Sequence, residues 1–536
     1  MRHSLLRSAL AVAVAVGLAD AKAGSWPQFG YDAAHSGFNT AETVLGAANL
    51  AQLGPVYANG ATLASSVDSA PVYQSGVTTA NGVKNLLFLL SKNGRLMAID
   101  AADGSEVWHQ STSGPQPTTA SPAIDPNLQY VYSYGVDGKA HKYAIGDGTE
   151  VTGGGWPQTI TLKTSVEKGA SGLTIASSGN SHYLIVVTDG YIGDGGDYQG
   201  HLVSIDLASG TQHVFNVMCS DKTIHFVLDG TPGTDDCAGR QSGIWGRGGA
   251  TWSAATNRVY IATGNGTFNA NTGGFHWGDS VLALAPDGTG AGNGMPLDSY
   301  TPSNFQSLQN GDTDLGSVSM AILPVPAGST VAHLGMQAGK DGKLRLIDLD
   351  DMSGQGGPAH VGGEIQLIDV PQGGSGFPGD RMREQPAVWV DPANHSTWVF
   401  AGNGSGLSGL ELGLDGSNRP ALTMRWSRAG SSNASTSPVV ANGVLYHAGP
   451  CADGGICVTA HDPLSGDVLW SSPHIGNVHW QSPIVVDGAI YVTDNSAKLW
   501  KFALPAGDVI FRNGFENTSN RGLHARARVA SPAALG

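Results

Sequence analysis

Two segments of this chain, Ser91 to Trp108 (SKNGRLMAIDAADGSEVW) and Val458 to Trp470 (VTAHDPLSGDVLW), share one register although hundreds of residues separate them. Written out, it is Ala98-x-Asp100-x-x-Asp103-Gly104-x-x-x-Trp108 beside Ala460-x-Asp462-x-x-Ser465-Gly466-x-x-x-Trp470. Ser204-x-Asp206-x-x-Ser209-Gly210 repeats the first part, and Leu346-Ile347-Asp348 with Ser353-Gly354 keeps a looser copy. Self-similarity at a fixed period constrains the fold more than any local propensity, because each copy must be one small unit that packs on its neighbours.

A second recurring piece precedes these loops: DSAPVY at 68, TASPAI at 119, REQPAVWV at 383, STSPVV at 435 and WQSPIVV at 480. Alternating runs such as LLFLLS, YVYSYG, RVYIATG, VLYHAG and AIYVTD follow, and their branched and aromatic residues suit a pleated surface packed on one or both faces. With 77 Gly, 27 Pro and only 13% charged residues, the chain is built from short strands and turns rather than long solvated helices. Unit starts fall near residues 66, 116, 165, 241, 312, 380, 431 and 478. Radial repetition of four-stranded units protects sheet edges, so the expected fold is all-β: an eight-bladed β-propeller of four-stranded antiparallel blades. The last unit shows only three convincing strands, and Leu50–Gly60 offers an unpaired one, so an N-terminal strand is expected to close the ring.

Arg2 and Arg7 precede an apolar run from Leu10 to Leu18, and Ala21-Lys22-Ala23 places small residues where a signal peptidase reads. Residues 1–23 therefore read as an export signal, 24–60 as an N-terminal segment, 61–505 as the propeller and 506–536 as a disordered tail. No later run reaches the ~18 apolar residues of a membrane-spanning helix. The expected address is the periplasm or the medium. There the cysteines would pair locally, Cys219 with Cys237 and Cys451 with Cys457. A formal charge of −15 argues against nucleic acid as a partner.

The Ala-x-Asp-x-x-(Ser/Asp)-Gly-x-x-x-Trp loops resemble the tryptophan-docking motifs of the pyrroloquinoline quinone (PQQ) type propeller family, which includes quinoprotein alcohol dehydrogenases and outer-membrane assembly scaffolds. The resemblance implies that Trp108 and Trp470 wedge between blades while Asp100 and Asp462 hold the preceding turns. Ser242 to Phe268 is similar to the dehydrogenase segment in which a tryptophan floors the quinone and the asparagine of a Gly-Asn turn helps to hold calcium. Trp245 or Trp252 would be that floor, Asn265 the metal ligand, and Arg247 would neutralise quinone charge. Thr301 to Ser317 resembles the stretch that supplies an aspartate base, matched by Asp314 with Asp312 in reserve. Calcium takes oxygen ligands and polarises a quinone oxygen, and a carboxylate beside it accepts the alcohol proton. Lys92-Asn93-Gly94 and Lys340-Asp341-Gly342 read as tight turns, and Lys340 is placed to face an anionic ligand in the funnel.

Further funnel candidates just before the strand openings are Asp68, Lys168, Arg383, Glu384 and His479. Polar loops carrying Asp194, Asp197, Asp235 and Asp236 lack EF-hand spacing. The adjacent-cysteine pair of many quinoprotein dehydrogenases is absent, and the family's glutamate ligand has no clear counterpart, Glu167 lying in a plausible blade without the surrounding motif. Two function classes stay open. One is a quinoprotein dehydrogenase with PQQ and Ca²⁺, oxidising an alcohol or polyol and passing electrons to an external acceptor. The other is a non-enzymatic propeller that binds a protein or carbohydrate through enlarged loops.

Overall fold

In a computed structural model the structure describes residues 24–191, 193–222, 237–369, 381–403, 406–429 and 435–505. The export signal and the disordered tail read from the sequence lie outside these residues, as do Asp235 and Asp236. Eight small antiparallel sheets follow one another along the chain as the blades of a propeller. The first blade shows why these residues form them. Val72–Thr79, Gly82–Leu90, Arg95–Asp100 and Glu106–Ser111 pair as a meander with Phe88 opposite Ala98 and Ala98 opposite Trp108. Leu86–Leu90 is buried on both faces because a blade is packed by a neighbour on each side. The Gly94 and Gly342 turns have φ of 80° and 69°, which glycine adopts without strain, so both Lys-(Asn/Asp)-Gly sequences are tight hairpin turns.

The later blades begin with the short strands Ala123–Ile124, Thr174–Ser178, Thr251–Ser253, Ala321–Leu323, Ala387–Val390, Val439–Ala441 and Ile484–Val486, each innermost in its sheet. Apolar clusters cross blade boundaries: Val72, Phe88 and Trp108 of the first blade share one with Tyr132 and Ile160 of the second and Ile175 of the third. Trp108 Nε1 donates to Ile145 O of the next blade at 3.1 Å, Asp100 Oδ1 accepts the Ala102 N–H at 2.9 Å, and Asp462 Oδ1 accepts the Leu464 N–H at 2.8 Å. Trp470 packs edge-on against Phe502 of the last blade. Trp426, which the repeat pattern does not mark, docks in the same way, its Nε1 donating to Pro463 O at 2.9 Å.

The ring closes on the N-terminal segment. Gly54–Pro55 pairs with Lys498–Ala503 and completes the last blade. The segment before it has a second role that its sequence does not announce. Ser25–Trp26 pairs with the innermost strand of the first blade, and Phe38–Asn39 runs parallel to that of the seventh. Between and beyond them the backbone accepts N–H groups from Ile124, Trp252, Val388 and Val440, and Gln28 accepts that of Ile175. Asn39 reaches Val485 O. Residues 24–42 thus form a strap across one end of the axis, bonded in turn to seven of the eight blades. The residues that precede the innermost strands gather at the opposite end.

Candidate functional site

At that opposite mouth, Ser242 to Gly249 descends along the axis from blade four. Trp245 is half-buried at the top. Gly264, in the Ala262-Thr263-Gly264-Asn265 turn, lets two side chains close on it: a Cβ there would lie 3.0 Å from Asp314 Oδ1 and 3.1 Å from Trp245 Nε1. Asp314 Oδ1 accepts the Asn265 N–H at 2.7 Å. The Asn265 carboxamide donates from Nδ2 to Asp194 Oδ2 at 2.8 Å, and Asp194 Oδ1 accepts the Tyr198 hydroxyl at 2.8 Å. Lys340 forms an ion pair with Asp314 and a second with Asp312 at 2.8 Å, and its ammonium lies 4.9 Å from the Trp245 ring centroid.

Of the residues read from the sequence, Trp245, Asn265, Asp314 and Lys340 therefore meet. Arg247 sits one turn deeper and is buried. Its guanidinium donates to His479 O at 2.7 Å and Ser435 O at 3.3 Å, lies 3.7 Å from Glu384, and stacks 4.8 Å from the Trp480 ring. It ties blade four to blades six, seven and eight across the axis. Trp252 lies further down, in Thr251–Ser253, where its backbone N–H bonds to Ala33 of the strap, away from the mouth. Asp312 is mostly exposed. Glu167 is turned into the protein, its two oxygens taken by the Thr161 hydroxyl at 2.5 Å and the Gln199 N–H at 2.8 Å.

Asp194 is the residue that sequence reasoning undervalued. It stands in the glycine-rich loop Gly193 to Gly200, whose composition reads as a polar turn, and nothing local shows that this loop reaches blade four. Trp480 was also missed; its ring stands perpendicular to Trp245 at 5.8 Å and makes a side wall to the mouth.

The electrostatics are dominated by burial of carboxyls. Burial raises Asp314 above its ordinary value, against the Lys340 ammonium and the Asn265 N–H. Burial pulls Lys340 down, but Asp314 and Asp312 more than offset this and hold it charged. Asp279 is pushed up to about 8 by burial; its Oδ1 accepts the Leu315 N–H at 3.0 Å and its buried Oδ2 has no hydrogen-bond partner. Burial also raises Asp189 to about 7, against Lys168. The donor set of Asp194, Asn265 and Asp314 is all oxygen and carries excess negative charge, which suits a hard divalent cation. A flat indole, flanked by a second indole and an ammonium, suits a planar anionic ring. The residues present therefore fit calcium and PQQ.

Residues 51–223 match the family model described as outer membrane protein assembly factor BamB. No curated protein sequence matches the chain. Among solved structures it is similar to a quinohemoprotein alcohol dehydrogenase from Comamonas testosteroni, with 16% identity over 90% of this chain and 80% of that chain at a TM-score of 0.60. It is equally similar to the quinohemoprotein alcohol dehydrogenase ADHIIG from Pseudomonas putida HK5, with 13% identity, 96% and 83% coverage and a TM-score of 0.60. A europium-containing methanol dehydrogenase matches at 14% identity over 90% of this chain and 98% of its own, again at 0.60. At these identities the likeness establishes the fold alone: an eight-bladed β-propeller.

Proposed function

We propose that this chain is an exported quinoprotein dehydrogenase that oxidises a small alcohol or polyol, with PQQ and calcium held in the mouth of the propeller. The observation that carries this reading is the convergence of Trp245 and Asn265 from blade four with Asp314 and Lys340 from blade five, joined by Asp194 from blade three. Asp194 and Asn265 would hold the cation, and Trp245 would floor the cofactor. When bound, the cofactor supplies an electron-poor carbonyl carbon that accepts a hydride from the alcohol carbon. The chain's part is to position and to move the proton. Asp314, kept basic by burial, would take the alcohol proton, and Lys340, held charged beside it, would offset negative charge gathering in the site. The alcohol leaves as a carbonyl compound, and an external acceptor removes the two electrons.

Export is supported by the Cys219–Cys237 and Cys451–Cys457 disulfides, which persist in an oxidising compartment. No helix among the described residues is long and apolar enough to cross a membrane. The match of residues 51–223 to an assembly-factor description favours a second reading, a propeller that binds a protein on its rim. One experiment separates them: mix the purified chain with PQQ and Ca²⁺, follow indole fluorescence to stoichiometry, then add alcohol and an electron-accepting dye. Saturable one-to-one quenching with alcohol-dependent dye reduction is expected. Absence of PQQ binding overturns the dehydrogenase reading.

A further inference from the structure

Lys168 ends the short strand Glu167–Lys168, which pairs with Asp189–Gly190 at the root of the loop that carries Asp194. The residue is only 7% exposed. Its ammonium lies 4.4 Å from the centroid of the Tyr191 ring, and among the described residues no carboxylate comes within 4.0 Å of it. Other lysines on this side of the molecule are satisfied: Lys163 bonds Asp197 at 3.1 Å, and Lys92 lies 3.3 Å from Asp68. The carboxyls that act on Lys168 from further off are both engaged otherwise. Asp68 accepts His479 Nδ1 and the Trp480 N–H at 2.9 Å each, in addition to Lys92. Asp189 is pushed up to about 7 by burial, so its negative charge is partial near neutral pH.

A buried ammonium without a counterion is costly, and burial lowers Lys168 from its ordinary value. A lysine kept for packing alone would swing toward Asp68 or be replaced by an apolar residue at no loss. Asp189 also links it to the proposed site, because that carboxyl feels both Lys168 and Asp314. We infer that Lys168, backed by the Tyr191 ring, is an anion subsite that takes a carboxylate of the ligand occupying the funnel. The inference rests on the dehydrogenase reading only for the identity of that ligand. The chemistry it needs is a planar polycarboxylate, with one carboxylate at Lys168 and the ring toward Trp245.

The test compares two probes on the full mature chain: PQQ, and benzene-1,3,5-tricarboxylate, which has the carboxylates but no quinone. Binding is read by indole quenching and by the NMR signal of ¹³C-dimethylated Lys168, assigned with Lys168→Arg. Both probes should bind the wild type and shift that signal. Lys168→Met should weaken both tenfold or more, Lys168→Arg should stay within about threefold, and Ca²⁺ affinity should hold within twofold. Lys168→Met should melt at the same temperature or higher, whereas a purely structural lysine would melt lower on removal. If the tricarboxylate binds through Lys168 and PQQ does not, the quinone reading fails and the subsite stands. If Lys168→Met binds both probes like the wild type, or if neither probe moves the Lys168 signal, the subsite is overturned.

Discussion

At the residue scale the decisive contact is the one between Asp314 and the Asn265 turn, because it joins the proposed base to the proposed metal ligand through a backbone N–H that a side-chain change leaves in place. Asp314→Asn keeps the shape and removes the basicity, so alcohol-dependent dye reduction should fall by ~10²–10⁴-fold while PQQ quenching of Trp245 persists. A loss confined to binding, with turnover per bound cofactor unchanged, would remove Asp314 from the base role. The raised carboxyls make a second prediction. Asp189 at about 7 and Asp279 at about 8 hold protons below those values, and each proton weakens the local negative field that attracts a cation. As pH rises through 7 to 8 these protons leave, so Ca²⁺ affinity should tighten, by about tenfold per proton fully displaced over one pH unit. Calorimetry at pH 6 and pH 8 in buffers of different ionisation enthalpy would read both the affinity and the released protons; a flat profile contradicts the arrangement. Trp245, Asn265, Asp314 and Lys340 were legible in the sequence because they sit in motif-bearing turns. Asp194 and Lys168 were named in the sequence only among several candidates, and the contact of Asp194 with Asn265 crosses from one blade to the next, which leaves no local spacing.

At the scale of the element, the docking loop explains why so little sequence identifies so large a ring. Asp100 satisfies its own turn, and Trp108 then carries the strand's edge into the next blade, where Gly148 leaves room for the indole, a Cβ there lying 2.6 Å from it. Trp108→Ala should cost about 3–5 kcal/mol, read as a lower urea midpoint; a shift below 1 kcal/mol would mean that the wedge is replaceable. Trp426 docks with equal geometry yet escaped the pattern, because its own loop reads Asp415-Gly416-Ser417-Asn418 and only the partner loop is regular. Fold class survives such decay, since strand alternation and turn glycines are repeated eight times, whereas a single docking contact is not. Blade seven carries a different sensitivity. His447 in Val444–Pro450 faces His461 at 5.5 Å, and burial, then His461, pushes it down to about 3. Its folded form is neutral while the unfolded form takes a proton near 6.5. The stability it protects is therefore complete above pH 6.5 and is lost as pH falls toward 3, by up to about 1.4 kcal/mol per pH unit. His447→Gln should flatten the melting temperature between pH 6 and pH 4; an unchanged slope would place the acid sensitivity elsewhere.

At the scale of the whole molecule, closure and strap come from one N-terminal stretch. Gly54–Pro55 completes blade eight, and residues 24–42 bond to seven innermost strands. A chain beginning at residue 64 keeps every repeat and loses both devices. It should show an earlier proteolytic cut in Lys498–Ala503 and a broadened, lower melting transition. Melting like the full chain would make the strap dispensable. The closing strand was readable as a missing fourth partner; the strap was not, because its bonds are backbone acceptors that any residue offers. With the strap across one end and Arg247 spanning the axis beneath the site, the ring is a cup and not a tube. On the proposed dehydrogenase reading, everything that visits the site must then queue at a single doorway: alcohol in, carbonyl product out, and afterwards the electron acceptor. Such traffic excludes a complex in which alcohol and acceptor are bound together, so double-reciprocal plots against alcohol at several acceptor concentrations should run parallel, and excess alcohol should slow turnover by standing in the acceptor's way.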